Sequence, residues 1–198
     1  MKAESGLLVV FEGLDQSGKQ TQAERLRDRL ASSGRAVVLL SFPDYDTAIG
    51  GEIARALRGE RSYRADVMQL LYVANRYERR DEMLRQRAAG TILLCDRYVA
   101  STIAYGEAQG LDGAWLTLLQ KYLPQPDVTI LLDIPPEVSA RRKTTDRDAF
   151  ERDLSLLARV RESYLRQAEA GWVRIDATRD RDAITADVEA ALASRLGS

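Results

Sequence analysis

Histidine is missing from this 198-residue sequence, and cysteine occurs once, as Cys95. The lack of histidine removes the commonest general base and metal ligand, and a single cysteine can form neither an internal disulfide nor a structural zinc site. An unpaired cysteine is typical of reducing compartments, so we expect a cytoplasmic protein. No apolar run is long enough for a transmembrane helix, and we expect no signal peptide, because the first apolar run is only five residues long.

An excess of charge of either sign is also missing, because 29 basic residues oppose 30 acidic ones. No general affinity for nucleic acid or for an anionic membrane surface is therefore predicted. Internal repeats, low-complexity segments and linkers are absent as well. A chain of this length and composition is expected to form one domain over residues 1–198 with a substantial core.

A glycine-bounded loop near the amino terminus follows an apolar run and precedes a helical pattern. Its spacing, G-x-x-x-x-G-K, is that of a phosphate-binding loop, in which glycines let backbone N–H groups turn towards phosphate oxygens. Lys19 would reach the β- and γ-phosphates of ATP. A chance match in a surface turn is the competing interpretation, which the flanking strand and helix patterns disfavour. The predicted ATP-binding residues are Gly13, Leu14, Asp15, Gln16, Ser17, Gly18, Lys19, Gln20 and Thr21.

Gln20 departs from this pattern, because a Ser or Thr that binds Mg²⁺ normally follows the lysine. Its amide oxygen is a weaker, neutral ligand, although coordination through that oxygen stays open as an alternative. Asp96 follows a purely apolar strand, the Walker B arrangement, and is the predicted Mg²⁺ ligand, directly or through water. The alternative for Asp96 is a helix N-cap.

Strand-like and helix-like segments alternate along the chain. Apolar strands are predicted at residues 7–11, 36–40, 91–95, 128–132 and 172–176, with helical patterns between them, the longest at 65–88. Such alternation predicts an α/β, three-layer fold: a five-stranded parallel sheet of buried strands with helices on both faces. Ligands bind beyond the carboxyl ends of such strands.

Basic residues crowd the segment at about 141–151, namely Arg141, Arg142, Lys143 and Arg147. This segment is predicted to be a short lid that closes over the triphosphate, since phosphoryl transfer depends on neutralising charge. A solvated basic loop is the alternative. Arg97, beside Asp96, could grip a phosphate with two donors, and a surface ion pair is its alternative.

Three more stretches lead beyond a generic phosphate loop: Phe42-Pro43, residues 70–78 with the letters LLYVANRYE, and residues 96–101 with DRYVAS. With Gly13-Leu14-Asp15 and Gln125-Pro126-Asp127, they make the chain resemble the thymidylate kinases from about Leu7 to Asp176. The resemblance implies the fold of P-loop nucleoside monophosphate kinases and ATP-dependent phosphorylation of dTMP to dTDP. Family members are commonly homodimers, and the helix from Ala65 is a candidate interface.

The resemblance also implies roles for single residues. Asp15 matches the carboxylate that holds the acceptor 3′-hydroxyl, Tyr72 the aromatic that stacks on thymine, and Arg76 the arginine at base O4. Arg97 matches the arginine that holds the acceptor phosphate, and Tyr105 an aromatic near C2′. The acceptor-site residues so implied are Asp15, Phe42, Pro43, Tyr45, Tyr72, Arg76, Arg97, Ser101, Thr102 and Tyr105. The catalytic set is Lys19, Asp15, Arg97, Arg142 and Arg147. A merely local i, i+4 pair is the alternative for Tyr72 and Arg76.

The chain departs from the family pattern at three positions. Gln16 stands where eukaryotic relatives often carry a catalytic arginine, and Tyr45 where they carry an arginine for the acceptor phosphate. In the lid, Ala149 stands where an arginine is frequent. Because Gln16 is uncharged, the lid is expected to supply the cation at the transferring phosphoryl group, from Arg142 or Arg147.

Two other functions remain open at this point. One is that of another nucleoside monophosphate or deoxynucleoside kinase, against which the thymine-type contact of Arg76 argues. The other is a nucleotide-dependent switch protein. A GTPase would need an Asn-Lys-x-Asp motif for guanine, whereas the only asparagine of the chain, Asn75, is followed by arginine.

Overall fold

The computed structural model describes residues 6–142 and 153–196. The strands are β1 (Leu8–Glu12), β2 (Val37–Ser41), β3 (Ile92–Asp96), β4 (Val128–Asp133) and β5 (Val173–Asp176). They form one sheet in the order β2-β3-β1-β4-β5, and every neighbouring pair is parallel. The predicted α/β class and five-stranded parallel sheet are thus confirmed.

Eight helices occur in the described residues, and they connect or follow the strands. They are α1 (Lys19–Ser32), α2 (Ala48–Leu57), α3 (Ala65–Ala88), α4 (Val99–Ala108), α5 (Gly113–Leu119), α6 (Pro136–Arg142), α7 (Leu154–Ala168) and α8 (Arg181–Leu196). The long helix α3 has the bounds expected from the sequence pattern. None of the helices in the described part of the chain is long and apolar enough to cross a bilayer.

Helices cover both faces of the sheet, which explains why the central strands are largely apolar up to their carboxyl ends. Val9 and Phe11 of β1 pack into a core shared with side chains of α1, α4, α7 and α8. Leu8 and Val10 point to the other face and pack with Met83 of α3. Each fully buried side chain of this size contributes about 1.5–3 kcal/mol. Successive residues of β1 therefore anchor the strand from opposite sides.

The two edge strands correct one expectation. All five strands were expected to be buried, but only Ile175 of β5 is, and in β2 Val37 to Leu40 are only half-buried and Ser41 is exposed. The reason is that β2 and β5 lie at the edges of the sheet, where β2 pairs with β3 alone and β5 with β4 alone. A short apolar run does not distinguish an edge strand from a central one.

The carboxyl ends of β1, β3 and β4 meet at one edge of the sheet, because the strands are parallel and adjacent. At this edge the order of connection reverses, since β1 lies between β3 and β4. Such a switch point is where open α/β sheets leave a crevice for ligands. The loop between Glu12 and Lys19 lies there.

Candidate active site

The phosphate loop joins the end of β1 to the start of α1. The strand before the loop and the helix after it, both predicted from the sequence, are therefore present. Gly13 and Gly18 have φ of 141° and 93°, which side-chain-bearing residues rarely adopt. A Cβ at Gly13 would also collide with the carbonyl oxygen of Leu132 in β4. The two glycines are thus required by the loop's conformation, and a chance match in a surface turn is excluded.

Lys19 opens helix α1 and has a buried side chain. Its Nζ donates to the carbonyl oxygen of Leu14, 2.8 Å away, which holds the ammonium group over the loop. Burial, assisted by the positive charge of Arg97, lowers the pKa of Lys19. A poorly hydrated cation at a helix amino terminus is well suited to bind phosphate oxygens.

Arg97 follows β3 and has φ of 65°, an uncommon value for a residue with a side chain. Such backbone costs about 1–3 kcal/mol and is concentrated at functional sites. Here it turns the guanidinium towards the phosphate loop, where Nη2 donates to Oδ1 of Asp15 at 2.6 Å and Nη1 to the carbonyl oxygen of Gly13 at 3.2 Å. The alternative of a surface ion pair is wrong, because only 14% of the Arg97 side chain is exposed.

Asp15 is held between two donors. Its Oδ1 accepts from Arg97, and its Oδ2 accepts from the hydroxyl of Tyr105 at 3.1 Å. Burial alone would raise the pKa of Asp15, but the charges of Arg97 and Lys19 outweigh it and hold that pKa well below its usual range. Asp15 is therefore a carboxylate at neutral pH, able to accept a hydrogen bond from a hydroxyl group.

One cavity brings together all ten residues that the resemblance implied for the acceptor site. Asp15 and Arg97 form its wall towards the phosphate loop, and Tyr72 and Arg76 of α3 line it as well. Tyr45, where relatives carry an arginine, lines it and is half-exposed. Three further lining residues, Leu57, Gln69 and Gln109, were not among those expected.

Arg76 is almost fully buried in this cavity. Its Nη1 donates to Oγ1 of Thr102 at 2.7 Å and to the carbonyl oxygen of Tyr72 at 3.2 Å, whereas its Nε is a buried donor with no partner among the described residues. Burial lowers the pKa of Arg76, opposed by the charge of Glu12. Arg76 does contact the backbone of Tyr72, but both side chains also line the cavity, so the pair is more than local.

Glu12 and Tyr164 belong to the site, but neither of them was assigned a role from the sequence. Glu12 is fully buried and accepts from Oγ of Ser101 at 2.6 Å, from the backbone N–H of Tyr98 at 2.9 Å and from the hydroxyl of Tyr164 at 3.2 Å. Tyr164 in turn accepts from Nη1 of Arg97 at 3.2 Å. A carboxylate that ends an apolar strand is a signal that could have identified Glu12, whereas nothing near Tyr164 in the sequence marks it.

Asp96 does not cap helix α4, so that alternative is wrong. The N-cap residue is Tyr98, and the first N–H groups of the helix are satisfied by Glu12. Oδ1 of Asp96 and Oγ of Ser17 are instead buried oxygens without a hydrogen-bond partner in the described part of the chain. Oxygens left open at the edge that carries the phosphate loop fit a hydrated Mg²⁺ ion.

Gln20 points away from the phosphate loop. It is exposed, and its Nε2 donates to Oε1 of Glu24 on the next turn of α1, 2.9 Å away. Within residues 6–142 and 153–196 there is no group of three or more carboxylate or cysteine side chains that could hold a metal ion by itself.

Arg142, the last residue of α6, bridges two loops around the phosphate site. Its Nη1 donates to the carbonyl oxygen of Gln16 at 3.1 Å and its Nη2 to that of Ala177, after β5, at 2.9 Å. Arg141 lies beside it and is exposed. The other lid residues named above, Lys143, Arg147 and Ala149, lie outside the described residues.

Comparison with known proteins gives a consistent result. The family model described as thymidylate kinase matches residues 11–188. The thymidylate kinase of Caenorhabditis elegans is 35% identical over 92% of this chain and 88% of its own, and that of Schizosaccharomyces pombe is 38% identical over 76% and 72%. The solved structure of thymidylate kinase from Candida albicans, 27% identical, superposes with a TM-score of 0.82 over 97% of this chain and 93% of that one. The chain belongs to the thymidylate kinase family.

Proposed function

We propose that the whole chain acts as one kinase domain that phosphorylates dTMP to dTDP at the expense of ATP. The observation that carries this proposal is the continuity of the phosphate loop with the cavity, since Asp15 belongs to both and pairs with Arg97 at 2.6 Å. A nucleotide whose base lies near Arg76 would thus present its phosphate to a nucleotide bound on the loop. The family membership supports both the acceptor and the donor.

Phosphoryl transfer from ATP to dTMP depends on positioning the two nucleotides and on neutralising the charge of their phosphates. An oxygen of the dTMP phosphate attacks the γ-phosphorus of ATP, the bond from that phosphorus to the β,γ-bridging oxygen breaks, and ADP leaves. The attacking oxygen is already ionised at neutral pH, so no general base is needed. Arg97 holds the acceptor phosphate, Lys19 binds the transferring group, and Asp15 accepts the 3′-hydroxyl. Tyr72 stacks on the base, and Arg76 meets its O4.

A panel of acceptors tests the function directly. ADP release from ATP is measured in a coupled assay with dTMP, dUMP, dCMP, dGMP and AMP at equal concentrations. Turnover should be highest with dTMP. If dTMP is not phosphorylated, or if another monophosphate gives the higher kcat/KM, the proposed activity is wrong.

Mg²⁺, when bound, neutralises phosphate charge, and Asp96 is the residue that would anchor it, directly or through waters. We expect Gln20→Ala to leave the Mg²⁺ dependence of activity nearly unchanged, because Gln20 is engaged with Glu24 on the helix surface. Asp96→Asn should shift that dependence strongly. Titrating Mg²⁺ at fixed ATP for both variants measures the two effects. A large shift for Gln20→Ala would show that its amide oxygen is a metal ligand.

We propose that the lid supplies the positive charge at the transferring phosphoryl group, because Gln16 in the phosphate loop is uncharged. Neutralising Arg141, Arg142, Lys143 and Arg147 one at a time should reveal a position whose loss lowers kcat far more than it raises the KM for ATP. Arg142 and Arg147 are the candidates, and Arg142 already contacts the phosphate loop at Gln16. Arg141→Gln, at the exposed neighbour on α6, is the matched control. Mild effects at all four positions would mean that another group, such as Arg97, supplies the charge.

A homodimer in the cytoplasm completes the proposal. Helix α3 exposes three large apolar side chains, Val67, Leu70 and Leu84, and such a surface suits burial against a second copy. Sedimentation velocity of the purified protein distinguishes a dimer from a monomer. The buried thiol of Cys95 is unpaired, in keeping with a reducing compartment.

A further inference from the structure

Gln69 has no role in the mechanism described so far, although it faces the acceptor cavity. It lies on α3, three residues before Tyr72 and seven before Arg76, so the three side chains share one face of the helix. Only 1% of Gln69 is exposed, and it lines the same cavity as the other two. Its Oε1 is a buried acceptor that has no hydrogen-bond partner among the described residues.

Buried polar atoms in folded proteins are normally paired, and an unpaired one at a binding site marks the place where a ligand completes the bond. Two residues that line the cavity carry such atoms, of opposite character: the acceptor Oε1 of Gln69 and the donor Nε of Arg76. A ligand that satisfies both must present a donor and an acceptor from one edge. The imide edge of thymine or uracil does so, because its N3–H donor is adjacent to the O4 acceptor.

We propose that Gln69 is a specificity-determining residue whose Oε1 accepts a hydrogen bond from N3–H of the acceptor base, while Arg76 donates to O4. The proposal rests on the proposed dTMP kinase activity and adds a second base-reading contact to it. Cytosine reverses both features of the edge, since its N3 is an acceptor and its position 4 carries an amino group. With dCMP, the Oε1 of Gln69 in this orientation would face the N3 acceptor, just as the N–H donors of Arg76 would face an amino group.

The test replaces Gln69 by leucine, which is similar in size and forms no side-chain hydrogen bond. The kcat/KM for dTMP should fall about 10- to 100-fold, the range for leaving one buried partner unpaired. The kcat/KM for dCMP should change less than about threefold, because dCMP loses no bond to N3. The preference for dTMP over dCMP should therefore fall together with the kcat/KM for dTMP. A general loss of stability or packing would lower both acceptors together.

N3-methyl-dTMP provides a second, independent probe, because methylation removes the N3–H donor. Wild-type protein should strongly prefer dTMP to N3-methyl-dTMP. In Gln69→Leu this preference should shrink by at least about tenfold, because the bond that methylation abolishes is already absent. Gln69→Met gives the same comparison with a flexible side chain, should the leucine variant fail to fold.

Gln120 offers a matched control. It is also a buried glutamine with an unpaired Oε1, but it lies after α5, outside the acceptor cavity, and its Nε2 donates to backbone oxygens of Val99 and Leu116. Gln120→Leu should leave the acceptor preferences unchanged, whatever it does to the midpoint of thermal unfolding. The proposal is overturned if Gln69→Leu keeps the wild-type dTMP to dCMP ratio or lowers both acceptors equally. Wild-type protein that fails to phosphorylate dTMP would instead refute the proposed activity itself.

Discussion

Wild-type protein should phosphorylate dTMP with a kcat/KM about 10⁴-fold above that for dCMP, the discrimination reached when a site built to bond one polar group meets its opposite. The physical reason lies in the burial of Arg76, which is 3% exposed and therefore cannot recruit water when its ligand lacks an acceptor. At O4 thymine offers a carbonyl oxygen, and at the same position cytosine offers an amino group. An unmade bond to a buried guanidinium is the penalty that dCMP incurs.

The acceptor dUMP distinguishes hydrogen-bond recognition of O4 from recognition of the shape of the base. dUMP retains O4 and N3–H and lacks only the 5-methyl group, so its kcat/KM should fall about 10- to 200-fold below that of dTMP. Steady-state ADP release with the three acceptors measures both ratios. Arg76→Met should remove most of the distinction between dTMP and dCMP, leaving the roughly 10- to 100-fold part that Gln69 contributes. Arg80→Met removes a partly exposed arginine one turn further along α3 and should preserve the distinction. Equal use of dCMP and dTMP by the wild-type protein would contradict the role of Arg76.

Local patterns in the sequence were sufficient for most of the fold. Strands buried on both faces are mostly apolar, so β1, β3 and β4 stand out as nearly continuous apolar runs, and parallel pairing follows from the helices between them. The position of a strand within the sheet is different, because it depends on contacts far along the chain. For that reason the half-buried state of β2 at the sheet edge was not predictable from residues 36–40.

The active-site residues also divide into those with a local sequence pattern and those brought together only by the fold. The phosphate loop is contiguous in sequence, and Gly13, Gly18 and Lys19 were identified from their spacing alone. Most acceptor residues came only from the family resemblance, since Tyr72 and Tyr105 have no local pattern that joins them, whereas Arg97 was also singled out by its place after an apolar strand. Glu12 is an example of a residue whose contacts only the fold creates. Its carboxylate, at the end of β1, accepts hydrogen bonds from the first N–H groups of α4, although Asp96 is much closer to that helix in the sequence. Long-range bonds of this kind leave no periodic signal.

Lys19→Ala should lower kcat about 10²- to 10³-fold, comparable to the loss of one preorganised donor from a transition-state binding site. The Nζ of Lys19 is held 2.8 Å from the carbonyl oxygen of Leu14, so its position is set before ATP arrives. Single-turnover and steady-state rates with saturating dTMP and ATP measure the loss. We expect the fold to persist, because the substitution removes no member of the hydrophobic core around Val9 and Phe11.

Two further variants separate the charge of Lys19 from its position. Lys19→Arg keeps the positive charge but replaces a compact ammonium group with a broad, planar guanidinium group. The narrow loop between Gly13 and Gly18 cannot hold that group in the same position, so most of the fall in kcat should remain. Lys121→Ala removes a lysine that lies over the ring of Tyr122, away from the phosphate loop, and should leave kcat unchanged. Retention of more than half of the wild-type turnover by Lys19→Ala would show that the transferring phosphoryl group is stabilised elsewhere. The requirement for Lys19 follows from the electrostatics, because charge on the transferring group must be met by a cation that is already in place when the group begins to move.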